Sequence, residues 1–138
     1  SDLYFVGTDT VSVISSLKNK TDVHKNGSIS TLSYCYTDDN ELVVAYSDYE
    51  NASNCKVEYI RPSGNVKTMI KLDKKAKYIS SSSNEICVLY NDGVDVFSLT
   101  KGERNESYKC DDSVTSVHKL SSRVYASRQK VIDLLDKQ

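Results

Sequence analysis

A repeat of about forty residues is the feature of the sequence that most restricts how the chain can fold. Three segments share an apolar run followed by a small polar residue and an aspartate, at offsets of 39 and 44 residues: LYFVGTD (residues 3–9), LVVAYSD (42–48) and ICVLYND (86–92). A weaker copy, VYASR (124–128), begins 38 residues after the third. Each unit of a repeat protein buries its apolar face against its neighbours, so this period predicts one stacked array.

Each repeat unit contains four short strands of different pattern. After the apolar run comes an alternating segment, namely VSVI (11–14), VEYI (57–60) and VDVFSL (94–99), with the two-residue period of a half-buried strand. A more polar strand follows, at residues 66–72 and 104–110, and a strand of mixed pattern precedes the later apolar runs, at residues 29–35, 77–81 and 114–120. Residues 131–135 fit either a strand or a final helix.

Turn residues separate these strands. Pro62 suits the first position of a turn in RPSGN (61–65), where Gly64 can take a positive φ, and Gly102 in TKGE (100–103) is its counterpart 38 residues later. The segment NDG (91–93) predicts a hairpin in which Gly93 has a positive φ.

The order mixed, apolar, alternating, polar predicts an all-β fold of antiparallel four-stranded repeats, either a propeller or an open propeller segment. Neighbouring blades cover the inner strands of a blade on both faces, whereas the outermost strand faces water. A β-sandwich or another all-β meander is the alternative.

The sequence begins at a second strand and stops after a third, which predicts 14 strands, or about three and a half blades. We expect one propeller-like domain over residues 1–138, forming the C-terminal part of a longer protein. Open ends expose unpaired backbone. We therefore expect half of a ring, completed by an upstream segment, a second chain or a partner.

Composition limits the possible partners. The chain has 18 Lys and Arg against 19 Asp and Glu, so its net charge of −1 argues against nucleic-acid binding driven by bulk charge. No apolar run of about 18 residues is present, so we expect no membrane insertion by this segment.

The four cysteines, Cys35, Cys55, Cys87 and Cys110, form no CxxC pair, which argues against zinc-ribbon and thioredoxin sites. Three interpretations of them stay open: small buried hydrophobic residues, disulfides, or a catalytic thiol.

Three aspartates recur at one position of the repeat. Asp9, Asp48 and Asp92 would lie on one rim of a ring, where carboxylate oxygens could hold a metal cation. The alternative is turn chemistry, because aspartate side chains bond their own backbone and begin turns.

Tyrosines also share a repeat position. Tyr46 and Tyr90 are equivalent, and Tyr34, Tyr36 and Tyr59 lie on nearby strands. A tyrosine-rich face can bind sugars or peptides, which makes Tyr46 and Tyr90 candidate ligand-binding residues. The alternative is packing between blades.

No pattern of catalytic residues stands out. The two histidines, His24 and His118, have no spacing relation to a nucleophile, and His118 in its strand is expected to be structural. We therefore expect no enzyme and no cofactor.

Four lysines form a cluster: Lys71, Lys74, Lys75 and Lys77. We expect them to lie in an exposed connection between blades. Alternatively, they contact an acidic surface or a cell-wall polymer.

The segment NDGVDVFSL (91–99), followed by Lys101 and Gly102, is similar to stretches of quinoprotein-like and other bacterial propellers. Without Trp, the chain lacks the Trp-Asp dipeptide of WD-repeat proteins and the tryptophan docking motif of quinoprotein alcohol dehydrogenases.

From residue 43 to 126 the chain also resembles an uncharacterised family of Gram-positive bacterial proteins with an N-terminal membrane anchor and a propeller-like region. That resemblance implies an extracytoplasmic or cell-surface location, with a cytoplasmic one as the alternative, and supplies no catalytic residues.

The sequence thus predicts a non-catalytic binding or assembly module of unknown ligand on the extracytoplasmic side. Its expected partner is another protein, or a second copy bound through open blade edges. The alternatives are a structural spacer of a cell-surface complex and an enzyme whose site is not visible in the sequence.

Overall fold

The computed structural model describes residues 3–15, 19–128 and 131–138, which form fourteen strands in four antiparallel sheets. Sheet 1 contains β1 (Leu3–Val6), β2 (Val11–Ile14) and β3 (Lys20–His24). Sheet 2 contains β4 (Ile29–Tyr36), β5 (Leu42–Asp48), β6 (Cys55–Ile60) and β7 (Val66–Leu72). Sheet 3 contains β8 (Tyr78–Ser82), β9 (Glu85–Leu89), β10 (Gly93–Ser98) and β11 (Arg104–Lys109). Sheet 4 contains β12 (Ser116–Leu120), β13 (Arg123–Arg128) and β14 (Val131–Leu134).

The predicted four-strand unit is confirmed. Each strand pairs with its neighbour in sequence, so every sheet is a meander, and the sheets hold three, four, four and three strands. The segment at 131–135 that fitted a strand or a helix is the strand β14. Over the described ranges the chain has no helix, and therefore none with the length and hydrophobicity to cross a bilayer.

Three hydrophobic clusters, one between each pair of adjacent sheets, hold the sheets together. The first strands β4, β8 and β12, here called the inner strands, contact one another in turn along one side of the stack. Strand β5 is apolar along most of its length because both of its faces are covered: Leu42 and Val44 pack towards sheet 1, and Val43 and Ala45 pack towards sheet 3. The sheets therefore stack radially, as in a sector of a propeller.

Each sheet has two faces, which we name by the neighbour they meet. The N-side face packs against the preceding sheet, and the C-side face packs against the following one. In sheet 3 the N-side face carries Ile86 and Val88, and the C-side face carries Val94 and Val96. Every internal interface joins the C-side face of one sheet to the N-side face of the next.

A positive φ was expected at three glycines, and the structure has it at two of them. Gly64 and Gly102 have the expected positive φ, of 91° and 72°. Gly93 does not; it begins β10, opposite Lys109 on β11. A Cβ at Gly93 would lie 2.5 Å from the carbonyl oxygen of Tyr108, so glycine is required by the close approach of another strand.

Candidate functional site

The repeated aspartates each have a local partner. Asp9 accepts a hydrogen bond from the backbone N–H of Gly27 at 3.0 Å, and Asp48 accepts one from the side-chain amide of Asn54. The carboxylate of Asp92 binds Nζ of Lys74 at 3.0 Å and 3.1 Å. These contacts tie separate loops to one another, and they differ from the bonds to the aspartate's own backbone that turn chemistry predicts.

No group of three or more metal-ligating side chains comes together within residues 3–15, 19–128 and 131–138. The rim position shared by Asp9, Asp48 and Asp92 therefore gives no convergent ligand set there. Cation binding by these residues stays a prediction that the geometry does not support.

The two candidate ligand-binding tyrosines are buried between sheets. The ring centroid of Tyr46 lies 4.7 Å from that of His24, and burial followed by the nearby Glu58 carboxylate raises the pKa of Tyr46. Burial and Asp95 likewise raise the pKa of Tyr90. Burial leaves neither ring an open face for stacking on a sugar, so ligand binding by Tyr46 and Tyr90 stays a prediction that the geometry does not support.

Both histidines join neighbouring sheets. His24 Nε2 lies 2.6 Å from Oε1 of Glu58, which carries the β3 side chain onto β6 of sheet 2. His118 Nε2 lies 3.5 Å from the Tyr78 hydroxyl, between sheets 4 and 3. These contacts position the sheets relative to one another and involve no Ser or Cys nucleophile.

All four cysteines are free thiols. Burial raises the pKa of Cys35 to about 12 and that of Cys87 to about 11. Burial also raises the pKa of Cys110. An activated cysteine needs a lowered pKa, so these three are protonated at neutral pH and chemically quiet.

Two of the clustered lysines make specific contacts. Lys74 lies over the Tyr90 ring, 5.5 Å from its centroid, in addition to binding Asp92. Lys77 donates to the backbone oxygens of Val114 at 2.7 Å and Asp112 at 2.8 Å, which ties the start of sheet 3 to the approach to sheet 4. They therefore serve the connections between sheets.

A pocket of about 220 Å³ beside Tyr90 is polar, and two of its three carboxylates are paired with basic side chains. Asp92 and Asp95 lie 3.0 Å and 3.9 Å from Lys74 and Arg104, and Asp95 also accepts a hydrogen bond from Ser107 at 2.7 Å. The pocket offers a ligand no unpaired charge among these groups.

The N-side face of sheet 1 carries exposed apolar side chains on β1, beside the polar residues Ser12 and Asp22. Leu3 and Phe5 are 63% and 53% exposed. The residues at the same repeat positions in sheets 2 and 3 are all 0% exposed, because the preceding sheet covers them: Leu42, Val44, Ile86 and Val88. Sheet 1 therefore presents the surface of an internal interface to its surroundings.

The C-side face of sheet 4 is the matching surface at the other end. Ile132 and Leu134 are 72% and 47% exposed, whereas Val94 and Val96 at the same positions in sheet 3 are 1% and 0% exposed. A mostly apolar groove of about 450 Å³ extends from this face to the end of β8 in sheet 3; its lining includes Ser82, Leu120, Tyr125 and Ile132. Alternation alone did not reveal these end faces, but alignment of the repeats locates them.

Tyrosines that are half-exposed lie instead on the innermost edge of sheet 2. The rings of Tyr34 and Tyr36 meet edge to face at 6.1 Å between centroids, and Tyr4 of β1 lies 6.1 Å from Tyr36. A groove of about 360 Å³ runs between the end of β1 and the middle of β4, close to Tyr34.

Solved structures share this architecture. A protein of unknown function from Bacteroides caccae matches 92% of this chain and 49% of its own length, with a TM-score of 0.60 and 11% identity. The WD40 domain of Neurospora crassa Pan2 matches 97% of this chain and 48% of its own, with a TM-score of 0.56 and 14% identity. KlHsv2, with loop 6CD replaced by a Gly-Ser linker, matches 78% of this chain and 35% of its own, with a TM-score of 0.57 and 15% identity.

These similarities establish the propeller-like fold, and at such identities they establish the fold alone. The chain spans about half or less of the length of each of these structures. No known family's sequence profile matches the chain. No curated protein matches it in sequence either.

Proposed function

We propose that this chain is a non-catalytic assembly module that binds propeller-type sheets through its two end faces. One observation carries the proposal: Leu3 and Phe5 at one end, and Ile132 and Leu134 at the other, are exposed at repeat positions that are buried in the internal sheets. Exposed apolar patches of this kind mark protein interaction sites.

The energetic reason is the hydrophobic effect. Burying a Leu, Ile or Phe side chain stabilises a complex by about 1.5–3 kcal/mol. Four such side chains on two patches give a driving force that one polar substitution at either end would reduce.

The two faces are also complementary. Every internal interface joins a C-side face to an N-side face, and the chain presents one free face of each kind. A second copy can therefore dock head to tail, with its sheet 1 against sheet 4 of the first. Such a contact is heterologous, and it closes into a ring if the rotation per copy permits.

Sedimentation velocity over a concentration series tests this proposal. The wild-type chain is expected to associate, whereas Phe5→Ser and Ile132→Ser, each lacking one of the two complementary faces, are each expected to stay monomeric. An equimolar mixture of the two variants should form a heterodimer, because the Phe5→Ser chain keeps its C-side face intact and the Ile132→Ser chain keeps its N-side face intact.

Val66→Ser is the matched control, since Val66 is an exposed apolar residue on the outermost strand β7 and belongs to neither end face. It should associate like the wild type. A wild-type chain that remains monomeric over its whole soluble range would overturn head-to-tail docking and favour the alternative, a structural spacer.

The absence of catalysis belongs to this proposal. It is supported by the raised pKa values of Cys35, Cys87 and Cys110 and by the structural pairing of His24 with Glu58. The extracytoplasmic location implied by the sequence resemblance stays a prediction.

A further inference from the structure

We infer that the occupant of the end faces is a second copy of this chain, whose Phe5 side chain enters the groove at the C-side face of sheet 4. This inference rests on the proposed function and deepens it, because it names the partner and the side chain that selects it.

The first support is the register of the internal interfaces, which repeat one contact three times. In each, two N-side residues of an apolar strand cluster with two C-side residues of the alternating strand in the preceding sheet. These sets are Leu42 and Val44 with Val11 and Val13, Ile86 and Val88 with Val57 and Tyr59, and Val124 and Ala126 with Val94 and Val96. At the ends of the chain the same positions are Leu3 and Phe5 on β1, and Ile132 and Leu134 on β14. The register therefore places the first pair of one copy on the second pair of the other.

The second support is a match in size. Phe5 lies at the repeat position where the internal sheets have smaller side chains, namely Val44, Val88 and Ala126. A face that receives Phe5 therefore needs a depression. Sheet 4 has one, since the groove of about 450 Å³ is lined in part by Tyr125, Ser127 and Ile132. Ser127 pairs with Ile132 as the larger Leu89 pairs with Val94 in sheet 3, so the serine leaves room for an aromatic ring beside Ile132.

The third support comes from the polar part of the N-side face of sheet 1. Ser12 Oγ donates to Oδ1 of Asp22 at 2.8 Å. In sheet 2 the position of Ser12 is taken by Glu58, which His24 reaches from the outermost strand of the preceding sheet. Sheet 4 ends at β14 and has no fourth strand within the described ranges. A second copy therefore leaves the Asp22 carboxylate in water, whereas a complete four-stranded sheet would cover this charge at a cost.

A size swap across one interface tests the inference. The Ile132→Ser chain supplies the N-side face and the Phe5→Ser chain supplies the groove, and isothermal titration calorimetry gives the dissociation constant of this heterodimer. Ser127→Leu in the groove-bearing chain should weaken binding about ten-fold, because the added side chain competes with the Phe5 ring. Phe5→Val in the other chain should weaken binding about five-fold when it is combined with the native groove.

The two substitutions together should restore binding to within about three-fold of the parent pair, since they recreate the side-chain sizes of an internal interface. Ser63→Leu in the groove-bearing chain is the matched control and should change nothing, because Ser63 is exposed in the turn between β6 and β7. Ser127→Val is the milder substitution if Ser127→Leu lowers the melting temperature of its chain.

Asp22→Asn in the Ile132→Ser chain should change the dissociation constant less than about two-fold at 0.15 M salt, because water still reaches this side chain in the complex. A ten-fold change would show that docking covers the carboxylate and would overturn the assignment of sheet 4 as the partner. Losses that add in the size swap would overturn the placement of Phe5 while docking stands. No association of the parent pair would overturn the proposed function itself, and this inference with it.

Discussion

At the scale of single residues, the requirement for glycine at position 93 comes from the close approach of another strand and not from a turn conformation. Gly93 is paired with Lys109, and the carbonyl oxygen of Tyr108 occupies the space of a side chain there. Gly27 is different, because its φ is 77° and nothing lies within 4 Å of a Cβ built on it. The two glycines therefore resist substitution for separate reasons, one steric and one conformational.

Gly93→Ala should lower the free energy of unfolding by about 2–3 kcal/mol, because strands β10 and β11 must move apart to accept a methyl group. Gly27→Ala should cost about 1 kcal/mol, the usual penalty for a left-handed residue with a Cβ. Urea unfolding of both variants measures the difference. Equal costs would show that Tyr108 does not constrain position 93.

At the scale of strands and sheets, charged side chains connect neighbours across the apolar cores. Lys119 on β12 of sheet 4 reaches Glu85 at 2.7 Å and Glu106 at 3.0 Å, both in sheet 3. Burial would raise the pKa of Glu106, but hydrogen bonds from Lys119, Lys137 and Tyr108 outweigh it and lower that pKa. Burial would lower the pKa of Lys119, but its two carboxylate partners raise it.

These shifts predict how stability depends on pH. A carboxyl whose pKa is lower in the folded state stabilises the fold above its ordinary pKa, and loses that effect as the pH falls through the folded value. The Lys119 contribution is present below the ordinary lysine pKa and is lost as the pH rises through the raised value. Glu106→Gln should therefore lower stability at neutral pH and reduce its further loss in acid, as measured by urea unfolding from pH 7 to pH 3.

Glu103→Gln is the control for this pH series, because Glu103 lies in the turn between β10 and β11 of the same sheet and has an exposed side chain. It should keep the wild-type pH dependence. If Glu106→Gln and the wild type lose stability in parallel below pH 5, the contact with Lys119 does not contribute to acid stability.

The sequence predicts the strands better than the sites. A two-residue period and a repeated apolar run are local signals, so the strands were located within one or two residues at most ends, as for β7 (Val66–Leu72). The contact of Gly93 with Tyr108 joins residues 15 apart, and no local pattern contains it. For Tyr46 and Tyr90 the sequence leaves both ligand binding and packing between blades open, because an apolar run without polar alternation does not show which way its side chains face.

At the scale of the whole molecule, three internal interfaces of one kind hold the sheets together, and both end sheets repeat that surface with no covering sheet among residues 3–15, 19–128 and 131–138. The exposed residues Leu3, Phe5, Ile132 and Leu134 follow the repeat register, and the proposed docking of the end faces would account for their apolar character.

Amide hydrogen exchange, measured strand by strand at low and high protein concentration, tests docking through the two end faces. At low concentration β5, β6, β9 and β10 should exchange slowly, while β1 and β14 exchange quickly. At high concentration β1 and β14 should gain protection together, because docking buries both ends at once. Slow exchange of β1 and β14 in the dilute monomer, or a gain of protection at neither end, would contradict it.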